Sequence, residues 1–190
     1  MNDHGRPARP DVTGVELVGG PEAITVALHP YDPAWAAYFR THHDRISEAL
    51  AASDVDIEHI GSTSVPGLSA KPIVDIVVAV PDITDEGSFL LPLLAAGYEL
   101  RVREPGHRLV RTPGRDVHVH IYPRGALAID DYLLLRDRLR SDAGERALYE
   151  RTKRELLARP WDDMNDYADA KTDVIRAIVR RARADREAAG

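Results

Sequence analysis

The sequence predicts an α+β fold, in which a mixed β-sheet is preceded by one helix and followed by a group of helices. Three observations carry this reading. Short segments such as "DIEHIG" and "KPIVDIVVAV" alternate apolar residues or run continuously apolar, as strands do. A helical apolar period begins at Trp35 and returns from about residue 129 onward. Gly and Pro punctuate the segments between, as at Pro105-Gly106 and Pro113-Gly114.

In chain order, residues 1–20 are rich in Gly, Pro and charge without a sustained period, and read as a flexible N-terminal arm. Residues 21–185 read as a single domain. "AITVAL" (Ala23 to Leu28) alternates as a strand closed by "HPYDP". Asp32 suits a helix cap with Pro33 at the first helical position, and Trp35, Phe39, Ile46 and Leu50 recur on one face of that helix. Asp56 to Gly61 is a short strand ending in Gly-Ser, and Lys71 to Val80 is a strand of the kind buried on both faces. A helix over 86–96 ends at Gly97. "YELRVR", "RLVRT" and "DVHVHIYP" predict three further strands, and helices are predicted over 129–140, 143–158 and 164–184.

Composition narrows the function classes. With 25 basic against 31 acidic residues the net charge is -6, which argues against a chain whose main work is gripping nucleic acid. There is no cysteine, so thiol nucleophiles and zinc ribbons are excluded and any metal falls to His, Asp or Glu. No apolar run approaches the roughly 20 residues of a membrane span, and the start lacks a signal peptide's apolar core. The expectation is a cytoplasmic protein with no membrane partner. Only three of the basic residues are lysines, Lys71, Lys153 and Lys171, and in so Arg-biased a chain these are candidate positions for a needed ammonium, against the simpler reading of chance.

The chemistry concentrates in "IEHIGSTSVPGLSAKPIVDIVVAV". Counting from Gly61, Pro66 stands where a Walker loop needs its second Gly and Gly67 where it needs Lys, so that motif is absent. What remains is a strand ending in Gly61-Ser62, whose backbone and whose Ser62, Thr63 and Ser64 hydroxyls suit phosphate oxygens, followed by a strand bearing Asp75 among apolar neighbours. An ionised carboxylate there needs a cation or several hydrogen bonds. His118 and His120, two apart on a strand, share one face and make Asp75, His118 and His120 a candidate metal site. His59 is a candidate general base, with Asp75, His120 and Lys71 as further catalytic candidates. Arg108, Arg136, Lys153 and Lys171 are candidate phosphate ligands, against the simpler reading of helical surface ion pairs.

"YDPAW", "IEHIGSTSVPGLSAKPIVDI", "HVH", "LLLRDRLR" and "YADAK", in that order, resemble the GrpB family of the nucleotidyltransferase superfamily over residues 24–182. The resemblance implies a nucleotidyltransferase-like sheet and a site in which Gly-Ser and strand carboxylates hold a nucleoside triphosphate such as ATP with divalent Mg, Mn or Zn. Gly61-Ser62 and Asp75 match the pattern, whereas Val77 stands where the second carboxylate belongs. The family's domain also occurs joined to dephospho-CoA kinase, which implies a coenzyme A pathway enzyme as a partner. Metal-assisted nucleotidyl or related group transfer on a small molecule, including nucleotide-dependent ligation, is therefore the expected function. An inactive nucleotidyltransferase-fold binding or helper module is the alternative, and a His/Asp metal-dependent hydrolase is a further one.

Overall fold

The computed structural model describes residues 10–20, 27–158 and 164–189. Its strands are β1 (Glu16–Leu17), β2 (Asp56–Ile60), β3 (Val74–Val80), β4 (Glu99–Glu104), β5 (His107–Arg111) and β6 (Val117–Pro123). They form one sheet in the order β1-β4-β5-β6-β3-β2. Among the described residues β3 and β6 pair in parallel and the other strand pairs are antiparallel, so the sheet is mixed. The helices are α1 (Ala34–Ala49), α2 (Glu86–Ala95), α3 (Leu127–Ser141), α4 (Ala143–Leu157) and α5 (Met164–Ala189).

Strand alternation divides the sheet into two unlike faces. Val74, Ile76, Val78 and Val80 of β3, with Val117, Val119 and Ile121 of β6, pack against α1 and α2 in the main core. Each such side chain, fully removed from water, contributes about 1.5–3 kcal/mol. A second apolar cluster of Val65, Leu68, Leu139, Tyr149 and Ile178 joins α3, α4 and α5 to the segment between β2 and β3. These helices shelter the other face of the sheet, the one carrying Asp75 and His120. Local capping agrees with the sequence. Asp32 Oδ1 accepts from the Ala34 N–H at 2.8 Å at the head of α1, and Asp142 Oδ1 accepts from Gly144 and Glu145 N–H groups at 2.8 and 3.0 Å at the head of α4.

One departure has a physical cause. The strand expected from Lys71 begins at Val74, because Pro72 has no N–H to offer and Ile73 N–H turns back to Lys71 C=O at 2.7 Å. Just before it, Ala70 forms an isolated antiparallel bridge with His29. Within the N-terminal segment, Asp11 accepts from the Gly106 N–H and from Arg108, each at 2.6 Å, and β1 pairs with β4. Of the strand expected at Ala23 to Leu28, residues 23–26 lie outside the described residues, and Ala27 and Leu28 carry no strand. Among the described residues no helix is long and apolar enough to cross a membrane.

Candidate functional site

The turn after β2 is built around Gly61. Its φ of 71° and ψ of -175° belong to a region essentially reserved for glycine, and a Cβ here would stand 2.5 Å from Asp75 Oδ2. The absence of a side chain therefore lets the turn pass directly beside the carboxylate, which the register of β2 on β3 places opposite Ile60. The chain then enters a short 3-10 turn at Ser62–Ser64. Ser64 Oγ donates to Gly61 C=O at 2.6 Å and Thr63 Oγ1 to Ile73 C=O at 3.1 Å, so both hydroxyls are spent on holding the turn. Arg140 Nε donates to Ser64 C=O at 2.9 Å, tying α3 to the same turn. Of the three hydroxyls, Ser62 alone lines the cleft.

That cleft, of about 460 Å³, lies between the sheet and the C-terminal helices. Lys71, Lys153 and Lys171 all line it, together with Asp75, His118, His120 and Tyr132. The chain's three lysines, 100 positions apart at the extremes, thus share one cavity with Asp75. Lys153 is 3% exposed and its Nζ donates to Ser62 Oγ at 3.1 Å and to Ser69 C=O. Burial, then repulsion from Lys171, pushes Lys153 down to about 7, against the attraction of Glu150. Burial, then repulsion from Lys71, pushes Lys171 down to about 8, with Asp75 pulling the other way. Burial also lowers Lys71, partly offset by Asp75. Crowded, desolvated ammonium groups of this kind are relieved by an anion.

Asp75 keeps 30% of its side chain open to the cleft. Burial raises its pKa, but His120, His118 and Lys171 outweigh that and hold it below the usual carboxylate range. Register sets Asp75 beside His118 and Val77 beside His120. His118 Nδ1 and His120 Nε2 lie 3.6 and 3.9 Å from the same oxygen, Asp75 Oδ1. Burial lowers the pKa of His118, against the attraction of Asp75. Among the described residues no group of three or more His, Asp or Glu is assembled to hold a metal ion. Val77, at the second carboxylate position of the family pattern, is 2% exposed and packed into the protein.

The other candidates lie elsewhere. His59 is buried on the apolar face of the sheet, stacked on Phe39 with ring centroids 4.6 Å apart, and shares a hydrogen bond of 3.1 Å with Thr63 Oγ1. Burial pushes it down to about 4, with Asp75 opposing and Arg140 and Arg136 assisting. It supports the turn from behind instead of facing the cleft. Arg108 is 1% exposed and fully engaged by Glu86, Asp11 and the carbonyls of Glu104 and His107. Arg136 binds Glu58 at 2.6 Å, Asp137 at 2.7 Å and His59 C=O at 3.2 Å, fastening α3 to β2. Neither arginine lines the cleft. Sequence reasoning passed over Tyr132 and also His107, whose Nε2 lies 3.2 Å from His120 Nδ1. The tight turn "EPGH", which makes Glu104 and His107 cross-strand partners, was the available signal for the latter.

A mixed sheet with a Gly-Ser turn beside a strand carboxylate defines a nucleotidyltransferase-like fold. The Cid1 poly(U) polymerase in its Mg 3'-dATP-bound structure shares that fold, with a TM-score of 0.52 at 18% identity over 67% of this chain and 43% of that one. More narrowly, the chain belongs to the GrpB family, whose model, described as GrpB protein, matches residues 25–181. It is 68% identical over 185 residues to a "UPF0157 protein" of Streptomyces coelicolor, covering 97% of this chain and 98% of the relative. The crystal structure of conserved protein GrpB from Enterococcus faecalis aligns with a TM-score of 0.72 and 31% identity over 82% of this chain and 96% of that one. A protein named dephospho-CoA kinase in Mycolicibacterium paratuberculosis is 30% identical over 186 residues, 83% of this chain but 46% of the relative.

Proposed function

We propose that the chain binds the phosphates of a nucleotide in the three-lysine cleft and transfers a nucleotidyl or related group to a small molecule. The single observation that carries this reading is the convergence of Lys71, Lys153 and Lys171 beside the Gly61-Ser62 turn and Asp75. Three lysines beside the Gly61-Ser62 turn offer ammonium donors to the oxygens of a polyphosphate. In this reading Lys153 and Ser62 grip one phosphate, Lys71 and Lys171 another, and Asp75 faces the reacting centre. A divalent ion carried in on the nucleotide would meet Asp75 as its carboxylate, with His118 and His120 flanking, and would neutralise charge on the transferred group. The packed Val77 and the lack of a ready three-ligand group among the described residues speak for the lysines as the main phosphate counter-charge.

A second reading, binding without turnover as a helper module, is favoured by that same Val77. The likeness to a protein named dephospho-CoA kinase supports an enzyme of coenzyme A metabolism as the partner in either case. Calorimetry with ATP, CTP and GTP, with and without Mg²⁺ or Mn²⁺, tests the shared premise. Binding of at least one of them, weakened in Lys171→Met, is the expected result; no heat from any of them removes both readings. Release of pyrophosphate in the presence of candidate acceptors, lost in Asp75→Asn, separates transfer from binding alone.

A further inference from the structure

We infer that Glu104 and His107 form a positioning relay that fixes the tautomer of His120 and leaves its Nε2 as an unprotonated lone pair facing the cleft. The inference rests on the proposed group transfer for its chemical purpose, and on geometry for its existence. The Pro105-Gly106 turn folds β5 back on β4, making Glu104 and His107 cross-strand partners. Glu104 Oε1 lies 2.6 Å from His107 Nδ1. An ionised carboxylate only accepts, so His107 Nδ1 carries the proton. In a neutral imidazole the other nitrogen is then an acceptor, and His107 Nε2 lies 3.2 Å from His120 Nδ1 with the two rings within 10° of parallel. His120 Nδ1–H is the donor of that bond, which leaves Nε2 as the lone pair.

At the far end of the chain of contacts, His120 Nε2 lies 3.9 Å from Asp75 Oδ1, beyond the length of a direct hydrogen bond. Tyr122 stacks on His107 with centroids 4.4 Å apart and planes 15° from parallel, holding the ring in the plane that the relay needs. His107 is buried, and neither it nor Glu104 lines the cleft, so both act through His120.

The lone pair has a use in the transfer. An acceptor hydroxyl oxygen forms a bond to the α-phosphorus of a nucleoside triphosphate, the bridging P–O bond breaks, and pyrophosphate leaves with the electron pair. The hydroxyl proton passes to His120 Nε2. The imidazolium so formed has the Asp75 carboxylate on one side, while on the other its Nδ1–H still donates into the His107–Glu104 chain.

The test is a long-range ¹H–¹⁵N correlation spectrum of the full chain labelled with ¹⁵N-histidine, with His120 assigned by the signals lost in His120→Asn. The wild-type protein should show His120 protonated at Nδ1 and bare at Nε2. His107→Phe keeps a ring on Tyr122 but removes the acceptor, and should move His120 toward the Nε2–H form; Glu104→Gln should move it less. Turnover, read as pyrophosphate release, should fall about tenfold in His107→Phe with ATP affinity unchanged, the scale typical when a functional histidine loses its orienting partner. A protonated Nε2 in the wild-type spectrum overturns the relay, even if ATP binds. A bare Nε2 in a protein that binds no ATP supports the relay and removes the group-transfer reading, so the two failures are distinguishable. The wild-type tautomer decides the matter even if a variant does not fold.

Discussion

On one face of β3 and β6, Val74, Ile76, Val78, Val117, Val119 and Ile121 pack into the core beneath α1 and α2. On the other face of the same strands, Asp75, His118 and His120 look into a cleft lined by three lysines. The two faces differ by a one-residue step along each strand, yet one is arranged for stability and the other against it. The apolar face gains free energy from every side chain removed from water. The cleft face gathers desolvated lysines whose pKa values are driven down, a pattern common at functional sites.

Substitutions on the two faces should separate these roles. The largest effect on stability is expected from Ile76→Ala, which empties a fully buried site and should lower the unfolding free energy by about 2–5 kcal/mol in a denaturant titration. Gly61→Ala should cost about 1–3 kcal/mol for its backbone conformation alone, and should also displace Asp75 and weaken ATP binding. Lys153→Met should do the reverse of Ile76→Ala. Losing a charge-assisted contact to phosphate should weaken ATP binding roughly tenfold or more, about 1.5–3 kcal/mol, while thermal stability holds or rises as a buried ammonium is removed. The smallest effect is expected from Arg136→Ala, about 1 kcal/mol or less in stability with ATP affinity unchanged, because its partner Glu58 is half exposed and the pair lies outside the cleft. Loss of ATP binding in Arg136→Ala would erase the distinction between the faces.

The apolar face was legible in the sequence because runs of apolar residues report burial directly: the run through Ile76 is a strand, although it begins at Val74 and one of its faces opens on the cleft instead of both being buried. The cleft was legible in part. The rarity of lysine marked Lys71, Lys153 and Lys171 without any knowledge of where they met, and Gly61 with Asp75 stood out as a glycine turn and a charge among apolar neighbours. Arg108 and Arg136 were misleading because composition cannot say whether a guanidinium already has its carboxylates; Glu86 and Asp11, far from Arg108 in sequence, become its partners only through the order of the sheet. His59 misled for a related reason, since neighbouring residues on a strand face opposite ways and only packing against Phe39 assigns its side. The pairing of His107 with His120 depends on the register of β5 on β6, which one sequence does not reveal.

The lysine pKa values give the cleft a definite pH signature. Lys153 and Lys171 titrate near 7 and 8 in the folded protein against 10.5 as the ordinary value, so the unfolded chain holds protons that the fold releases. Their destabilising effect is therefore complete below about pH 7 and fades as pH rises toward 10.5. The proposed binding of phosphate should run the other way, strongest where both are charged and falling as pH climbs through 7 and 8. The most direct test is calorimetry of ATP binding at pH 7.5 in two buffers of different ionisation enthalpy. Net proton uptake on binding, reduced in Lys153→Met, is the result this account requires; binding without proton uptake, or no binding, contradicts it.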